Sequence, residues 1–318
     1  MQAIECAIKD YFEGGLKLEV VGKPKLISDS NNDVYLVHTN AGLYTFKLLS
    51  DLDIDLEFVK RCNEFISHKI SCQKILKVDE LPHLLNGHPF VVSEYMQGRD
   101  LRDVIESGDI TEDIEAKFLV LLEELLSAIN EIPSLPKEGY GAYKTSRPLY
   151  KTFDGSINAA ISIYAGKFSK AFGTSSKWGH FEKVLTSYCA MKSQEGNYSF
   201  AVVSFDMNLK NFIMDDSGNL NLLNLPILGF SICEAGVGEM TSQLIGSPLR
   251  AKLMDIYVKQ GMDKGLIVFY ETIALLGTLS AATGTDFSYI EDVECWGYKA
   301  NVAQSIEENI AKLERISG

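Results

Sequence analysis

The sequence predicts an α+β protein in which a small strand-rich lobe precedes a larger, mainly helical lobe. Three observations carry that expectation. Short β-rich runs separated by turn clusters crowd the N-terminal part of the chain. After Gly98 the apolar residues recur at helical spacing. One strand–turn–strand interruption, at residues 200–223, is embedded in the helical part. A length of 318 residues leaves room for one large domain or two moderate ones. The change of character divides the chain into 1–95 and 96–318.

In chain order, residues 18–21, 34–37 and 43–49 are β-rich, separated by the turn clusters Ser-Asp-Ser-Asn-Asn-Asp and Asn40-Ala41-Gly42. A helix is expected over 53–69, with Ile54, Phe58, Cys62 and Phe65 on one face. Strand character resumes at 75–78 and 89–95. Residues 112–132 carry Ile114, Phe118, Leu121, Leu122, Leu125 and Ile129, a stripe wide enough for a core helix. Further helices are expected near 155–171, 180–193, 239–259, 263–281 and 299–316. The embedded hairpin comprises strands at 200–204, 212–214 and 220–223, with Asp215-Asp216-Ser217-Gly218 as its turn.

Hydrophobic residues at 46% and charged residues at 23% describe a folded globular chain. Lys and Arg number 30 against 43 Asp and Glu, a net charge of −13. That argues against a general affinity for nucleic-acid phosphates or anionic membrane. It fits either a solubilising surface or a cationic partner. No run reaches the roughly 18 apolar residues that cross a bilayer, and the N-terminus lacks the pattern of a signal peptide. The six cysteines form no Cys-x-x-Cys pair, as expected in a reducing compartment. A cytoplasmic protein with no nucleic-acid or membrane partner is therefore expected.

Three places offer chemistry. Lys47 lies in the apolar run Leu43-Tyr44-Thr45-Phe46-Lys47-Leu48-Leu49. Its ammonium must either snorkel to water or reach an acidic partner, because burying it alone is costly. The following helix supplies Glu57 and Glu64, seven residues apart and so on nearly one face. The segment from Phe90 through Val91, Val92, Ser93, Glu94, Tyr95, Met96 and Gln97 to Gly98 runs from strand to turn at the lobe boundary. Its extended backbone could offer a donor and an acceptor to a planar heterocycle, or serve only as a linker. Finally, Asp206 and Asn211 stand five residues apart in a loop between strands. An acid and an amide so placed could accept a proton and ligate a hard cation, although such pairs are also common in polar turns.

In that order, these pieces resemble the aminoglycoside phosphotransferase and choline kinase branch of the protein-kinase-like fold, over residues 27–246. The most specific matches are the hydrophobic-Glu-Tyr-x-x-Gly-x-x-Leu hinge and the Asp-x-x-x-x-Asn loop. The resemblance implies a two-lobed fold with a small antiparallel-sheet N-lobe and a mainly helical C-lobe. It implies that Lys47 holds the α- and β-phosphates of ATP or another nucleoside triphosphate, with Glu57 as its helix partner. Ser30 and Asn31 would lie in the phosphate-covering turn, and the backbone at Glu94 and Met96 would bind the base. Asp206 would orient the accepting hydroxyl, and Asn211 would bind Mg2+. The implied activity is O-phosphotransfer to a hydroxyl on a small cationic molecule or a Ser/Thr-bearing peptide.

Two departures bear on that activity. Where the family has His-Gly-Asp, this chain has Ser204-Phe205-Asp206. Where the family has a metal-bridging aspartate after the hairpin, this chain has Asn224, and no carboxylate lies between Asn219 and Cys233. An amide oxygen can still ligate Mg2+ but brings no formal charge. Losing about 3–4 kcal/mol of metal-centred stabilisation would slow transfer by two to three powers of ten. A pseudokinase that binds nucleotide or protein without phosphotransfer is the alternative. Retention of Lys47, a helix glutamate, Asp206 and Asn211 argues against complete decay and favours the catalyst.

Overall fold

A computed structural model describes residues 2–28, 32–49, 55–80, 88–132, 140–142, 150–172, 176–195, 200–204, 208–223, 228–283, 294–295 and 298–317. They divide into two compact units. One comprises the chain through Arg99 and a returning segment that starts at Ile213; the other comprises nearly all the rest. The hairpin segment that the sequence assigns to 96–318 is thus grouped with the first unit.

In the first unit, α1 (Gln2–Asp10) runs into one π-helical turn at Tyr11–Leu16. The strands β1 (Lys25–Ser28), β2 (Asp33–Thr39), β3 (Gly42–Leu48), β4 (Ile75–Glu80) and β5 (Pro89–Glu94) form an antiparallel sheet of order β1-β2-β3-β5-β4. The run at 18–21, expected as a strand, makes only a single bridge from Val20 to Thr39. Pro24, which has no N–H, separates it from the sheet proper at Lys25. One face of the sheet packs Tyr35, Val37, Phe46, Phe90 and Val92 against Ala7, Ile8 and Phe12. Phe46 stacks on Phe90 at 4.6 Å, and Tyr11 meets Phe90 edge-on at 4.7 Å. The other face carries α2 (Leu56–Ser67), whose N-cap Asp55 accepts a hydrogen bond from the Phe58 amide at 2.9 Å. Leu56 joins Leu49, Val78 and Val91 in a second apolar cluster.

In the second unit, β6 (Arg99–Asp100) leads into α3 (Leu101–Glu106) and α4 (Glu112–Asn130). The apolar stripe of α4 is buried as its spacing requires. After β7 (Gly141–Ala142) come α5 (Phe153–Phe172) and α6 (Ser176–Glu195). After β8 (Phe200–Ser204) come the hairpin β9 (Phe212–Met214) and β10 (Leu220–Leu222), grouped from Ile213 with the first unit, and then β11 (Leu228–Ile232), again in the second. Strand β11, which the sequence did not suggest, lies between β7 and β8. The helix expected over 239–259 is two, α7 (Cys233–Ser242) and α8 (Pro248–Lys259). Pro248 cannot continue a helix but opens one well, and Ser247 caps it by accepting from the Leu249 amide. The last helices are α9 (Lys264–Thr283) and α10 (Val302–Ser317).

Helices α7 and α9 approach closely because Gly238 has no side chain; a Cβ there would strike the Tyr270 side chain and the backbone of Ile267 and Glu271. Glu271 is fully buried yet satisfied, taking two hydrogen bonds from Arg250 at 2.7 and 2.8 Å and one from Asn309 at 2.7 Å. This ties α8, α9 and α10 together. Asp263 ties α6 to α9: it accepts from Lys192 at 2.8 Å and caps α9 through the Gly265 and Leu266 amides. The thiols of Cys62, Cys72 and Cys189 are buried, and desolvation pushes them up to about 12, 11 and 11; Cys6 is exposed. Among the described residues no helix is long and apolar enough to cross a membrane.

Burial raises the Asp263 carboxyl, but the hydrogen bonds from Lys192, Leu266 and Gly265 outweigh it and hold the group below its ordinary value. A depressed carboxyl stabilises the fold above the unfolded value of about 3.9 and loses that contribution as pH falls through the folded value. Asp263→Asn should therefore lower the melting temperature at pH 7, and the gap from wild type should close below about pH 4. A second test concerns Gly98, which has φ +149 and whose added Cβ would fall against the Met214 carbonyl and the Ile213 side chain. Gly98→Ala should cost about 2 kcal/mol or more in urea unfolding. Gly42→Ala, at φ +135 with open space around it, should cost less.

Candidate functional site

Antiparallel pairing decides what shares a face with Lys47. Its cross-strand neighbours are Val34 on β2 and Val91 on β5, while Thr45 pairs with Leu36 and Ser93. Directly opposed residues lie on the same face, and alternate residues of one strand do too. Lys47, Thr45, Val34, Leu36, Val91 and Ser93 therefore form one surface, opposite to Phe46 and the aromatic core. Lys47 is half-buried on it, and Thr45 and Ser93 are buried. The hinge begins where β5 ends, about 10 Å along the sheet from Lys47.

The hinge backbone is partly committed. The Glu94 amide donates to the Lys74 carbonyl at 3.2 Å, and the Tyr95 amide donates to the Leu43 carbonyl at 3.0 Å. The Glu94 carbonyl accepts from the Gln73 side chain at 2.7 Å. The Met96 amide, by contrast, has no hydrogen-bond partner among the described residues. Of the two hinge groups expected to meet a base, the Met96 amide is a donor with no partner among the described residues, and the Glu94 carbonyl accepts one hydrogen bond and keeps a second lone pair.

The segment between α2 and β4 anchors this corner. Asn63, 1% exposed, donates to the Gln73 carbonyl and accepts from the Ile75 amide, both at 2.8 Å. On the far side, the Leu222 amide donates to the Ser71 carbonyl and the Gln73 amide donates to the Leu222 carbonyl. Ser71 also bonds Asn221. Hinge, inter-element segment and hairpin strand β10 are thus stitched into one scaffold within the first unit. The hairpin turn has the form expected from its sequence: Asp215 accepts from the Ser217 and Asn219 amides at 2.9 Å, with Gly218 at φ +74. Those amide bonds hold the Asp215 carboxyl below its ordinary value.

The helix glutamates stand elsewhere. At about 100° per residue, Glu57 and Glu64 fall on the side of α2 opposite to Leu56, Phe58, Cys62 and Ile66. Both are exposed; Glu64 pairs with Lys60 at 3.7 Å, and among the described residues no ion pair joins Glu57 to Lys47. Asn211, in the second unit, ends a 3-10 turn whose Asn208 cap bonds the Lys210 amide at 3.0 Å. The next residue, Phe212, packs edge-on against Phe118 at 5.0 Å. Ser30, Asn31, Asp206 and Asn224 lie outside the described residues. Among the described residues no three His, Cys, Asp or Glu side chains gather as a metal site. Two acids of the helical part are already paired: Glu271 is sealed against Arg250, and Glu106 bonds Arg102 at 2.6 Å.

Sequence reasoning passed over Thr45, Asn63 and Gln73, all buried polar residues at this corner. Thr45 could have been found, since it stands two residues before Lys47 and must share its face. Nothing in the local pattern marks Asn63 or Gln73 as buried.

No protein-family model matches the sequence, and a search of curated proteins finds no match. Solved structures do match. The aminoglycoside phosphotransferase APH(4)-Ia aligns with 100% of this chain and 99% of its own, at 13% identity and a TM-score of 0.68. A thermostable mutant of that protein, in ternary complex with ADP and hygromycin B, aligns over 98% and 99% at 13% identity and a TM-score of 0.66. A candidate fructosamine-3-kinase from Haemophilus somnus aligns over 96% of each chain at 13% identity and a TM-score of 0.61. This protein therefore has the two-lobed, protein-kinase-like fold seen in aminoglycoside phosphotransferases.

Proposed function

We propose that the protein is a nucleoside-triphosphate-dependent O-phosphotransferase acting on a hydroxyl of a small, cationic molecule. The placement of Lys47 carries this reading: it is half-buried on a sheet face that ends at a hinge whose Met96 amide has no partner among the described residues. A lysine at that place can hold phosphates while the hinge holds the base. The likeness to a kinase fold over the whole chain supports it, as does the complex of one such neighbour with ADP and hygromycin B. A net charge of −13 favours a cationic acceptor, an amino sugar or amino alcohol, over an acidic one.

In this account the acceptor oxygen bonds the γ-phosphorus as the bond to the β–γ bridging oxygen breaks, and the nucleoside diphosphate leaves. Asp206 orients the hydroxyl and takes its proton. Lys47 positions the α- and β-phosphates, and Glu94 and Met96 position the base. The amides of Asn211 and Asn224 would hold Mg2+, which when bound would neutralise phosphate charge. Amide oxygens suit a hard cation, but two amides supply no charge of their own.

A second reading, a pseudokinase serving as a nucleotide- or protein-binding module, is favoured by one observation. Among the described residues no ion pair joins Glu57 or Glu64 to Lys47, and an active protein kinase holds its strand lysine with a helix glutamate. A Ser/Thr-bearing peptide is the alternative acceptor for the active form.

The two readings separate in one assay. Full-length protein is incubated with γ-labelled nucleoside triphosphate, Mg2+ or Mn2+, and amino sugars, amino alcohols or Ser/Thr peptides. Transfer to an amino sugar or amino alcohol is expected, falling about a thousandfold or more in Asp206→Ala and rising by two to three powers of ten in Asn224→Asp. No transfer by wild type or Asn224→Asp, with nucleotide still bound, would establish the pseudokinase.

A further inference from the structure

The peptide that joins Glu94 to Tyr95 is gripped at both poles. Its N–H donates to the Leu43 carbonyl on β3 at 3.0 Å, and its C=O accepts from Gln73 Nε2 at 2.7 Å. A trans peptide is planar, with its N–H and C=O pointing opposite ways. One bond alone would let that plane rock about the chain axis, whereas two opposed bonds fix it. The next peptide along carries the Met96 amide, so the same grip aims the donor with which the hinge begins.

The grip on the carbonyl comes from a side chain because the backbone around it is committed. The Glu94 amide donates to the Lys74 carbonyl at 3.2 Å, as a strand neighbour should. At Gln73 the chain turns away: its amide donates to the Leu222 carbonyl and its carbonyl accepts from Asn63, both at 2.8 Å. The Gln73 side chain therefore departs from a fixed point, is 6% exposed, and has little freedom left to lose in holding the hinge. Thr45 Oγ1, 3.4 Å from the same Nε2, is too far to compete with Glu94 for it.

A carbonyl oxygen has two lone pairs and Gln73 uses one, which leaves the other for a base. A base that takes it together with the Met96 amide needs the two groups at a set separation and direction. Setting them before the base arrives removes an ordering cost from binding.

We propose that Gln73 is a positioning residue, which pre-orders the hinge for a nucleotide base by holding the Glu94–Tyr95 peptide. It selects no particular base and takes no part in holding the phosphates. The inference rests on the nucleotide site proposed above and adds a residue to it.

The test is isothermal titration of the full-length protein, wild type and Gln73→Met, in Mg2+. The ligands are ADP, GDP and inorganic tripolyphosphate, which has no base. The nucleotide that wild type binds more tightly should bind about tenfold more weakly to Gln73→Met, while tripolyphosphate should stay within about twofold of wild type. A merely structural role would weaken nucleotide and tripolyphosphate together. Equal nucleotide binding by the two proteins would overturn the proposal, and so would a parallel loss of both ligands in a folded variant. Hydrogen exchange of wild type gives a second reading, independent of whether Gln73→Met folds. The Tyr95 amide should be protected before nucleotide is added and should gain about threefold or less when it binds. A Tyr95 amide that exchanges freely until nucleotide binds would overturn the proposal while leaving the nucleotide site standing. Wild type that binds neither ADP nor GDP would remove the nucleotide site itself, and this role with it.

Discussion

The antiparallel pairing of β3 with β5 is the constraint on which the candidate nucleotide face depends. It sets Lys47 opposite Val91 and Thr45 opposite Ser93, and so decides that a lysine, two hydroxyls and a hinge share one surface. The same register drives Phe46 and Val92 into the aromatic core with Phe90. A slip of one residue would exchange the two faces, exposing Phe46 and burying Lys47 among aromatic rings. Hydrophobic burial of the Phe46–Phe90 stack therefore enforces the orientation of a charged group that it never touches.

Around that sheet the structure relies on polar side chains that act as backbone substitutes. Asn63 completes the hydrogen bonding of Gln73 and Ile75 where α2 hands over to β4, and Gln73 does the same for Glu94. Each satisfies a backbone group that would otherwise be costly to bury. The second unit uses charge for the same purpose. Arg250, Glu271 and Asn309 join three helices, and Lys192 with Asp263 joins two. Replacing either partner of the buried Arg250–Glu271 pair alone would leave a charge without compensation.

Much of the architecture was legible because it was written in local chemistry. Turn residues marked the β2–β3 connection and the β9–β10 hairpin, and apolar spacing marked α2 and α4. Lys47 stood out as a charge within an apolar run. The rest was written in contacts distant along the chain. Strand β11 is held by β7 and β8, so its short Leu-Gly-Phe-Ser-Ile run gave no sign of its own. Spacing put Glu57 and Glu64 on a common stripe, but the burial of Leu56, Cys62, Asn63 and Ile66 turned that stripe to solvent. Asn63 and Gln73 look like surface residues until the helix and strand that enclose them are in place.

The buried thiols give each unit its own internal clock. Cys62 and Cys72 belong to the first, Cys189 to the second, and desolvation keeps all three protonated and unreactive while their surroundings stay closed. A thiol-modifying reagent would consume Cys6 at once and reach Cys62, Cys72 and Cys189 only as fast as their own unit opens. The order of labelling would thus rank the two halves by how readily each comes apart, with no engineered probe.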